Sequence, residues 1–241
     1  GAKLDARDKD GETALIWAAH HGNSDCVQAL INARANIEAK DDVGGNALML
    51  AARAGSIECM QLLVDAQADI EAKDFDGDTA LIMAARKGHA ECTQLLVEAK
   101  ANVKAKDSKG GTALMAAAQK DDMLSAQILI DAKSSIQASD NEGMTPLMWA
   151  IHDGSLKCTQ VLIRAGAALE AKDRAGITPL IWAAQRGHPA CVQLLLDAKA
   201  NLEAQDLEGM TALIWAVHNG YVDCVKLLLD ASADIKTTNH N

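Results

Sequence analysis

The sequence is poor in aromatic residues, in positive charge and in long apolar runs, and each shortage excludes a class of protein. Only 2% of the 241 residues are aromatic, whereas two-sheet β proteins rely on aromatic and β-branched strands. The formal net charge of −10 argues against a general nucleic-acid-binding surface, which needs clustered Lys and Arg. No apolar run approaches the ~18 residues of a membrane span, and we predict no signal peptide. Abundant Ala and Leu instead favour helices.

Glycine recurs at a fixed interval of 33 residues without insertion or deletion. The glycines that open each interval are Gly11, Gly44, Gly77, Gly110, Gly143, Gly176 and Gly209. They predict seven repeats, at 11–43, 44–76, 77–109, 110–142, 143–175, 176–208 and 209–241. Residues 1–10, GAKLDARDKD, match the tail of a preceding repeat, as in QADIEAKDFD at 67–76. We expect one repeat domain over residues 1–241.

Each repeat carries start and stop signals for two short helices. A Thr stands two residues after most opening glycines, where its hydroxyl can cap a helix, and Asn46 replaces it in the second repeat. Pro146 and Pro179 follow at the first helical position, where a missing N–H is tolerated. A second glycine eleven residues after the first, such as Gly22 or Gly187, ends that helix. Apolar residues spaced three and four apart then predict the second helix.

These motifs closely resemble ankyrin repeats over essentially the whole chain. The resemblance rests on the 33-residue period, the TPLxxAA phrase, the glycine after the first helix and the LLLDAxAxxEAxD tail. It implies an all-α fold of antiparallel helix pairs joined by projecting β-turn fingers and stacked into a curved solenoid. It also implies a concave face of fingers and first helices that binds a protein partner without any cofactor.

Two positions depart from the family pattern. The usual His after TPL is replaced by apolar residues, namely Ile16, Met49, Ile82, Met115, Met148, Ile181 and Ile214. The usual Gly after the second helix survives as Gly1 and Gly166, but elsewhere it is Arg34, Gln67, Lys100, Lys133, Lys199 or Ser232. A left-handed conformation there would cost about 1 kcal/mol relative to Gly. We expect these side chains to be exposed.

Tryptophan and cysteine each occupy one position of the repeat. Trp17, Trp149, Trp182 and Trp215 alternate with aliphatic residues in the first helix, which predicts packing between helices; partly exposed indole edges are the alternative. The six cysteines share a position in the second helix, about 10 Å from one another by helix packing, too far apart for disulfides. We therefore predict small buried hydrophobes and a reducing, intracellular and cytoplasmic location.

Polar residues do not form a recognisable active site. His89 and His188 follow the glycine that ends the first helix, where a structural hydrogen bond is expected. No histidine has a zinc-ligand partner at suitable spacing, and no Ser/His/Asp arrangement or phosphate-binding glycine loop is recognisable. We predict a protein without catalytic activity, metal or cofactor.

The candidate binding residues are those that vary between repeats. Five apolar ones lie on the finger side and form an exposed ladder if they point into the concavity, or are covered by neighbouring fingers: Phe75, Met144, Ile177, Leu207 and Met210. Five basic ones lie on first helices, either as a solvated face or as a strip for an acidic or extended partner: Arg53, Arg86, Lys87, Lys120 and Arg186. We predict a protein partner and no nucleic acid.

The ends of the chain and the fourth repeat raise two further expectations. Both terminal repeats look internal, so head-to-tail assembly into filaments is an alternative function, unless the chain is a piece of a longer array. In the fourth repeat Asp121 replaces the helix-ending glycine and Ser125 replaces the cysteine. A poor repeat weakens both of its neighbours' interfaces, so we predict reduced local stability over residues 120–125.

Overall fold

The computed structural model describes residues 3–233, and within this range the protein is all-helical. The helices are α1 Ala14–His20, α2 Ser24–Asn32, α3 Ala47–Ala54, α4 Ile57–Asp65, α5 Ala80–Lys87, α6 Ala90–Glu98, α7 Ala113–Gln119, α8 Met123–Asp131, α9 Pro146–His152, α10 Leu156–Arg164, α11 Pro179–Arg186, α12 Pro189–Asp197, α13 Ala212–His218 and α14 Val222–Asp230. No β-strand occurs among the described residues, which confirms the predicted fold class. None of the described helices is long and apolar enough to cross a membrane.

The described residues form two compact units. The first consists of residues 3–113 and 127–134, and the second of residues 114–126 and 135–233. In the first unit α1 packs on α3 and α3 on α5, while α2 packs on α4 and α4 on α6. In the second unit the corresponding series are α9, α11, α13 and α10, α12, α14. A single domain over 1–241 stays a prediction, and the end of the last predicted repeat, 234–241, lies outside the described residues.

The predicted helix signals are confirmed. Thr13, Thr79, Thr145, Thr178 and Thr211 each accept a hydrogen bond from the amide three residues later, and Asn46 does the same for Met49 N at 3.0 Å. These side chains are buried, so each also satisfies an amide that water cannot reach. The glycines after the first helices have φ of about +70° to +77°, a region open to Gly without strain.

The left-handed positions after the second helices are confirmed as well. Arg34, Gln67, Lys100, Lys133, Lys199 and Ser232 have φ between +65° and +69°, and all are exposed. Gly166 has the same geometry with open space around it, whereas Gly1 lies outside the described residues. Most repeats therefore carry the cost of a non-glycine residue in this conformation, and its side chain extends into solvent.

The core follows the repeat, with one exception among the cysteines. The apolar residues that replace the family histidine are buried from Ile16 to Ile181, and Ile214 is half-buried. Five cysteines are buried, and burial raises the pKa of Cys92 to about 11 and that of Cys158 to about 12. Cys26 is exposed, so its predicted burial is wrong. In the later repeats the cysteine thiol is covered by the repeat before it. Cys158 Sγ, for example, lies 3.6 Å from Ala117 O of the fourth repeat.

Candidate functional site

An aspartate organises each turn between consecutive repeats. We call these turns fingers, at residues 8–12, 41–45, 74–78, 107–111, 140–144, 173–177 and 206–210. In the finger at 173–177, Asp173 Oδ1 accepts hydrogen bonds from Ala175 N and Ile177 N, both at 2.9 Å, and Asp173 N donates to Ile177 O. Equivalent side-chain bonds occur in the other fingers. The carboxylate thus fixes the backbone of the turn.

Main-chain and side-chain bonds join neighbouring fingers within each unit. Phe75 N donates to Val43 O in the first unit, and Leu207 N donates to Ala175 O in the second, both at 3.0 Å. Glutamates and lysines of the EAKD segment also reach the next repeat, as where Glu170 Oε1 accepts from Asn201 N and Lys172 Nζ donates to Gln205 O. The recurrence of EAKD at 38–41, 71–74 and 170–173 was the available signal for these bonds, and sequence reasoning missed it.

The tryptophans lie where fingers meet first helices, and they are not core residues. Trp17 is 48% exposed, and the other three are half-buried. Each indole Nε1 donates to Oδ2 of the finger aspartate nine residues earlier; the pairs are Trp17 with Asp8, Trp149 with Asp140, Trp182 with Asp173 and Trp215 with Asp206, at 2.8 to 3.0 Å. The predicted burial in the core is wrong, and the alternative of partly exposed indole edges is confirmed. Each indole N–H reaches a carboxylate of the finger, because an indole N–H needs a polar partner. The bond from Trp17 lowers the pKa of Asp8.

In the second unit, imidazole and guanidinium groups contact the indoles. The ring of His152 lies 5.6 Å from that of Trp149 and 5.2 Å from that of Trp182. Arg186 stacks over Trp182 at 5.3 Å and contacts His152 Nε2, while His218 lies 5.6 Å from Trp215. We call this surface, made of Trp149, His152, Trp182, Arg186, Trp215 and His218, the Trp strip.

The first unit has a different arrangement at the third repeat. Met83 occupies the tryptophan position, and Arg86 one turn later forms a bidentate pair with buried Asp78, with Nη2 to Oδ1 at 2.7 Å. Arg86 Nη2 also lies 3.1 Å from Oδ2 of the next finger aspartate, Asp107. Burial raises the pKa of Asp78, and the charge of Arg86 opposes that rise. A cation therefore serves two fingers here.

The structure separates the ten predicted binding residues into two groups. Seven are exposed: Arg53, Phe75, Arg86 and Lys87 in the first unit, and Lys120, Arg186 and Leu207 in the second. Phe75 and Leu207 project from finger tips, 77% and 74% exposed. Val43, also at a finger tip and also exposed, was missed because a single valine in a polar turn gives no periodic signal.

Met144, Ile177 and Met210 are only 5%, 8% and 9% exposed, so the expected open ladder is wrong for these three. They end their fingers at the position that is Gly45 in the second repeat. A Cβ on Gly45 would meet Leu50 Cδ2 and Asp41 Oδ2 within 3.0 Å. The position therefore faces inward, between the finger aspartate and the first helix, and an apolar side chain there becomes core.

The residues of the fourth repeat that depart from the repeat pattern form hydrogen bonds. Asp121 adopts φ of +57°, and its Oδ1 accepts from Cys158 N at 2.9 Å. Asp122 Oδ1 accepts from Ser125 N, and Ser155 Oγ donates to Gln119 O. The expected strain is present at Asp121, but its carboxylate offsets part of it. Reduced stability over residues 120–125 stays a prediction.

Comparison with known proteins gives one finding. A family model described as ankyrin repeats matches in three copies, over residues 1–74, 81–173 and 160–239. No curated protein matches the chain. Across residues 3–233 there is also no group of three or more His, Cys, Asp and Glu side chains placed to hold a metal ion.

Proposed function

Because the chain belongs to the ankyrin repeat family, we propose that it is a binding module whose partner contacts fingers and first helices. Ankyrin repeats generally mediate protein–protein interaction and are typically not enzymes. Function on this fold resides in the particular side chains displayed. We also propose a cytoplasmic location, because six free thiols fit a reducing compartment.

One observation carries the choice of face. The residues that build the fingers repeat along the chain, whereas the exposed side chains on fingers and first helices change from repeat to repeat. Phe75 and Val43 project from adjacent fingers of the first unit, and Arg53 and Arg86 are exposed in the last turns of its first helices. Aromatic residues and arginine are the types that dominate binding energy in protein interfaces. This face therefore has the composition that a partner site needs.

The test is affinity capture with the full chain, followed by quantitative mass spectrometry. Two face variants, Phe75→Asp and Trp182→Leu with Arg186→Ala, are compared with a control on a second helix, Leu124→Asp. Leu124 is 62% exposed, so the control changes a similar surface elsewhere. We expect a partner that both the wild type and the control capture and at least one face variant loses. Loss in the control alone would contradict the proposal.

Head-to-tail stacking remains a second candidate because one observation favours it. A groove on the first repeat is lined by Ala14, Trp17, Ala18, Asn23, Cys26, Ala29 and Leu30. Within each unit the equivalent face of a later repeat packs against the preceding repeat. On the last repeat, Val217 and Leu229 are exposed, and the occupant we propose for the groove is that repeat of a second copy.

Thiol reactivity tests this second candidate directly. Cys26 lies in the groove and is exposed, so it should react with a thiol reagent in dilute solution while the buried cysteines do not. Stacking predicts that Cys26 becomes protected over a hundredfold rise in concentration, together with rising mass by light scattering. Constant reactivity and constant mass would exclude the assembly.

A further inference from the structure

We propose that the Trp strip of the second unit binds a proline-rich partner segment in the polyproline II conformation that carries basic residues. The proposal rests on the proposed function and names the chemistry of the partner for this surface. Three features carry it: the spacing of the indoles, their fixed orientation and the charge around them.

The spacing of the indoles matches an extended proline helix. His152 lies between Trp149 and Trp182, at 5.6 and 5.2 Å from their rings, so the two indoles are at most about 11 Å apart, close to the 8–10 Å between packed helices. Polyproline II rises 3.1 Å per residue with three residues per turn, about 9 Å per turn. One proline per turn can therefore contact the solvent-facing part of each successive indole, beside the side chains of His152 and Arg186.

The indoles are held in place before any partner arrives. Asp140, Asp173 and Asp206 each bind one indole N–H, and each of these carboxylates also holds its own finger turn. A polyproline segment loses little conformational entropy when it docks on aromatic rings. An amphipathic helix needs a broad apolar groove, whereas this strip is a single row of indoles that includes the charged Arg186 and lies beside Asp153.

The charge around the strip favours a cationic partner. Asp153 lies beside His152, with Oδ1 2.5 Å from Nδ1, and Glu142 and Glu208 are exposed on the finger tips. Arg186 contacts Trp182 and His152, while Arg174 and Glu142 neutralise each other. The excess charge around the strip therefore comes from Glu208 and the three finger aspartates. Arg186 also shows that a guanidinium stacks on an indole here. In this unit we therefore favour a basic segment over an acidic one.

Three synthetic peptides of equal length separate the contributions of proline and charge. One repeats Pro-Pro-Arg, the second repeats Gly-Ser-Arg, and the third repeats Pro-Pro-Glu. We expect the first to bind the full chain, and the second to bind at least about tenfold more weakly because it lacks proline rings that pack on the indoles and is not preorganised as polyproline II. Equal binding of both Arg peptides would show that charge alone explains the affinity and would overturn the proposal. Tighter binding of the Glu peptide would overturn it as well.

The matched variants are Trp182→Leu and Trp17→Leu. Leucine occupies this position naturally as Leu50, so both substitutions suit the fold, and Trp17 lies in the first unit. Trp182→Leu should weaken binding of the Pro-Pro-Arg peptide about tenfold, because one aromatic contact residue is lost, whereas Trp17→Leu should leave its affinity within about twofold. Equal losses in the two variants would contradict binding at the Trp strip.

The NMR signals of the indole N–H groups test binding at the Trp strip in the wild-type chain, without substitutions. On addition of the Pro-Pro-Arg peptide, the signals of Trp149, Trp182 and Trp215 should shift and that of Trp17 should not. Absence of these shifts would overturn the proposal. If the peptides fail while face variants still lose a captured protein, the face binds a partner of other chemistry, and the proposed function stands without this inference.

Discussion

Repeats 2 to 4 and repeats 5 to 7 use the same finger aspartate with different donors. In repeats 5 to 7 the Oδ2 atom accepts an indole N–H, whereas Leu50, Met83 and Ala116 in repeats 2 to 4 have no side-chain donor. At Asp107 the guanidinium of Arg86 from the preceding repeat takes that role. The turn itself depends on Oδ1 and backbone amides. Side chains on the finger face can therefore change without loss of the turn.

The largest expected effect is in the region without tryptophan, where Arg86 neutralises a buried carboxylate. Arg86→Leu leaves Asp78, 4% exposed, without its cation, and we expect a loss of about 2 kcal/mol in the free energy of unfolding at pH 7. Chemical denaturation measures it. The matched control is Arg53→Leu, at the same position of repeat 2, where Gly45 replaces the aspartate; it should change stability by less than about 0.5 kcal/mol.

The same variant has a predicted pH dependence. Burial already raises the pKa of Asp78 and Arg86 opposes this, so removal of Arg86 raises the pKa further. A carboxyl group whose pKa rises on folding binds more protons in the folded state, and its contribution to stability is lost as pH rises through that pKa. The deficit of Arg86→Leu should therefore be smaller at pH 4 than at pH 7. A deficit independent of pH would contradict the Asp78 assignment.

The indole bond of repeats 5 to 7 should appear as a coupling energy. Asp173→Asn keeps one oxygen as the acceptor for the finger amides. Its NH2 group, which is a donor, then faces the indole N–H of Trp182 in place of Oδ2. A double-mutant cycle with Trp182→Leu should give about 1 kcal/mol of coupling. The corresponding cycle in repeat 3, with Asp74→Asn and Met83→Leu, should give almost none. Equal couplings in the two cycles would remove the distinction between the regions.

A reverse substitution can make repeat 3 resemble repeats 5 to 7. Met83→Trp places an indole nine residues after Asp74, the spacing of all four observed pairs. We expect a gain of about 0.5 to 1 kcal/mol from the new bond and a fifth indole N–H signal with slow hydrogen exchange. Destabilisation by the substitution would show that Arg86 and an indole cannot share this face.

The smallest effect is expected in repeat 4. Asp121→Gly removes the strain of a positive φ but also the bond from Cys158 N, so the two changes of about 1 kcal/mol should nearly cancel. Lys199→Gly, at φ +68°, has only the strain to relieve and should stabilise by up to about 1 kcal/mol. Hydrogen exchange over residues 120–125 in the wild type tests the reduced local stability, and protection equal to repeats 2 and 6 would disprove it.

Helix boundaries were predictable because their signals are local. A threonine hydroxyl caps the amide three residues later, and a glycine ends its own helix, so neither depends on a distant neighbour. The left-handed residues such as Lys199 were predictable for the same reason. Their position relative to the second helix sets the backbone conformation whatever the side chain.

Exposure on the finger side was not predictable, because it depends on what a neighbouring element covers. Met144 and Leu207 are both apolar finger residues, yet one ends the turn facing the first helix and the other projects from the tip. The tryptophans alternate with aliphatic residues, which suggested core, but their indole N–H groups select the finger carboxylate instead. The aspartate is present in every finger, whether or not its repeat has a tryptophan. The two residues therefore do not vary together along the chain, and nothing in the sequence indicated their pairing.

Oxidative footprinting of the free chain and of the chain with its captured partner tests the central claim most directly. Trp149, Trp182, Trp215, Phe75 and Leu207 report on the finger face, and Leu124 and Val222, both exposed, report on the second helices. We predict labelling of both sets in the free chain and protection confined to finger-face residues in the complex. Protection at Leu124 and Val222 with the finger face still labelled would contradict it.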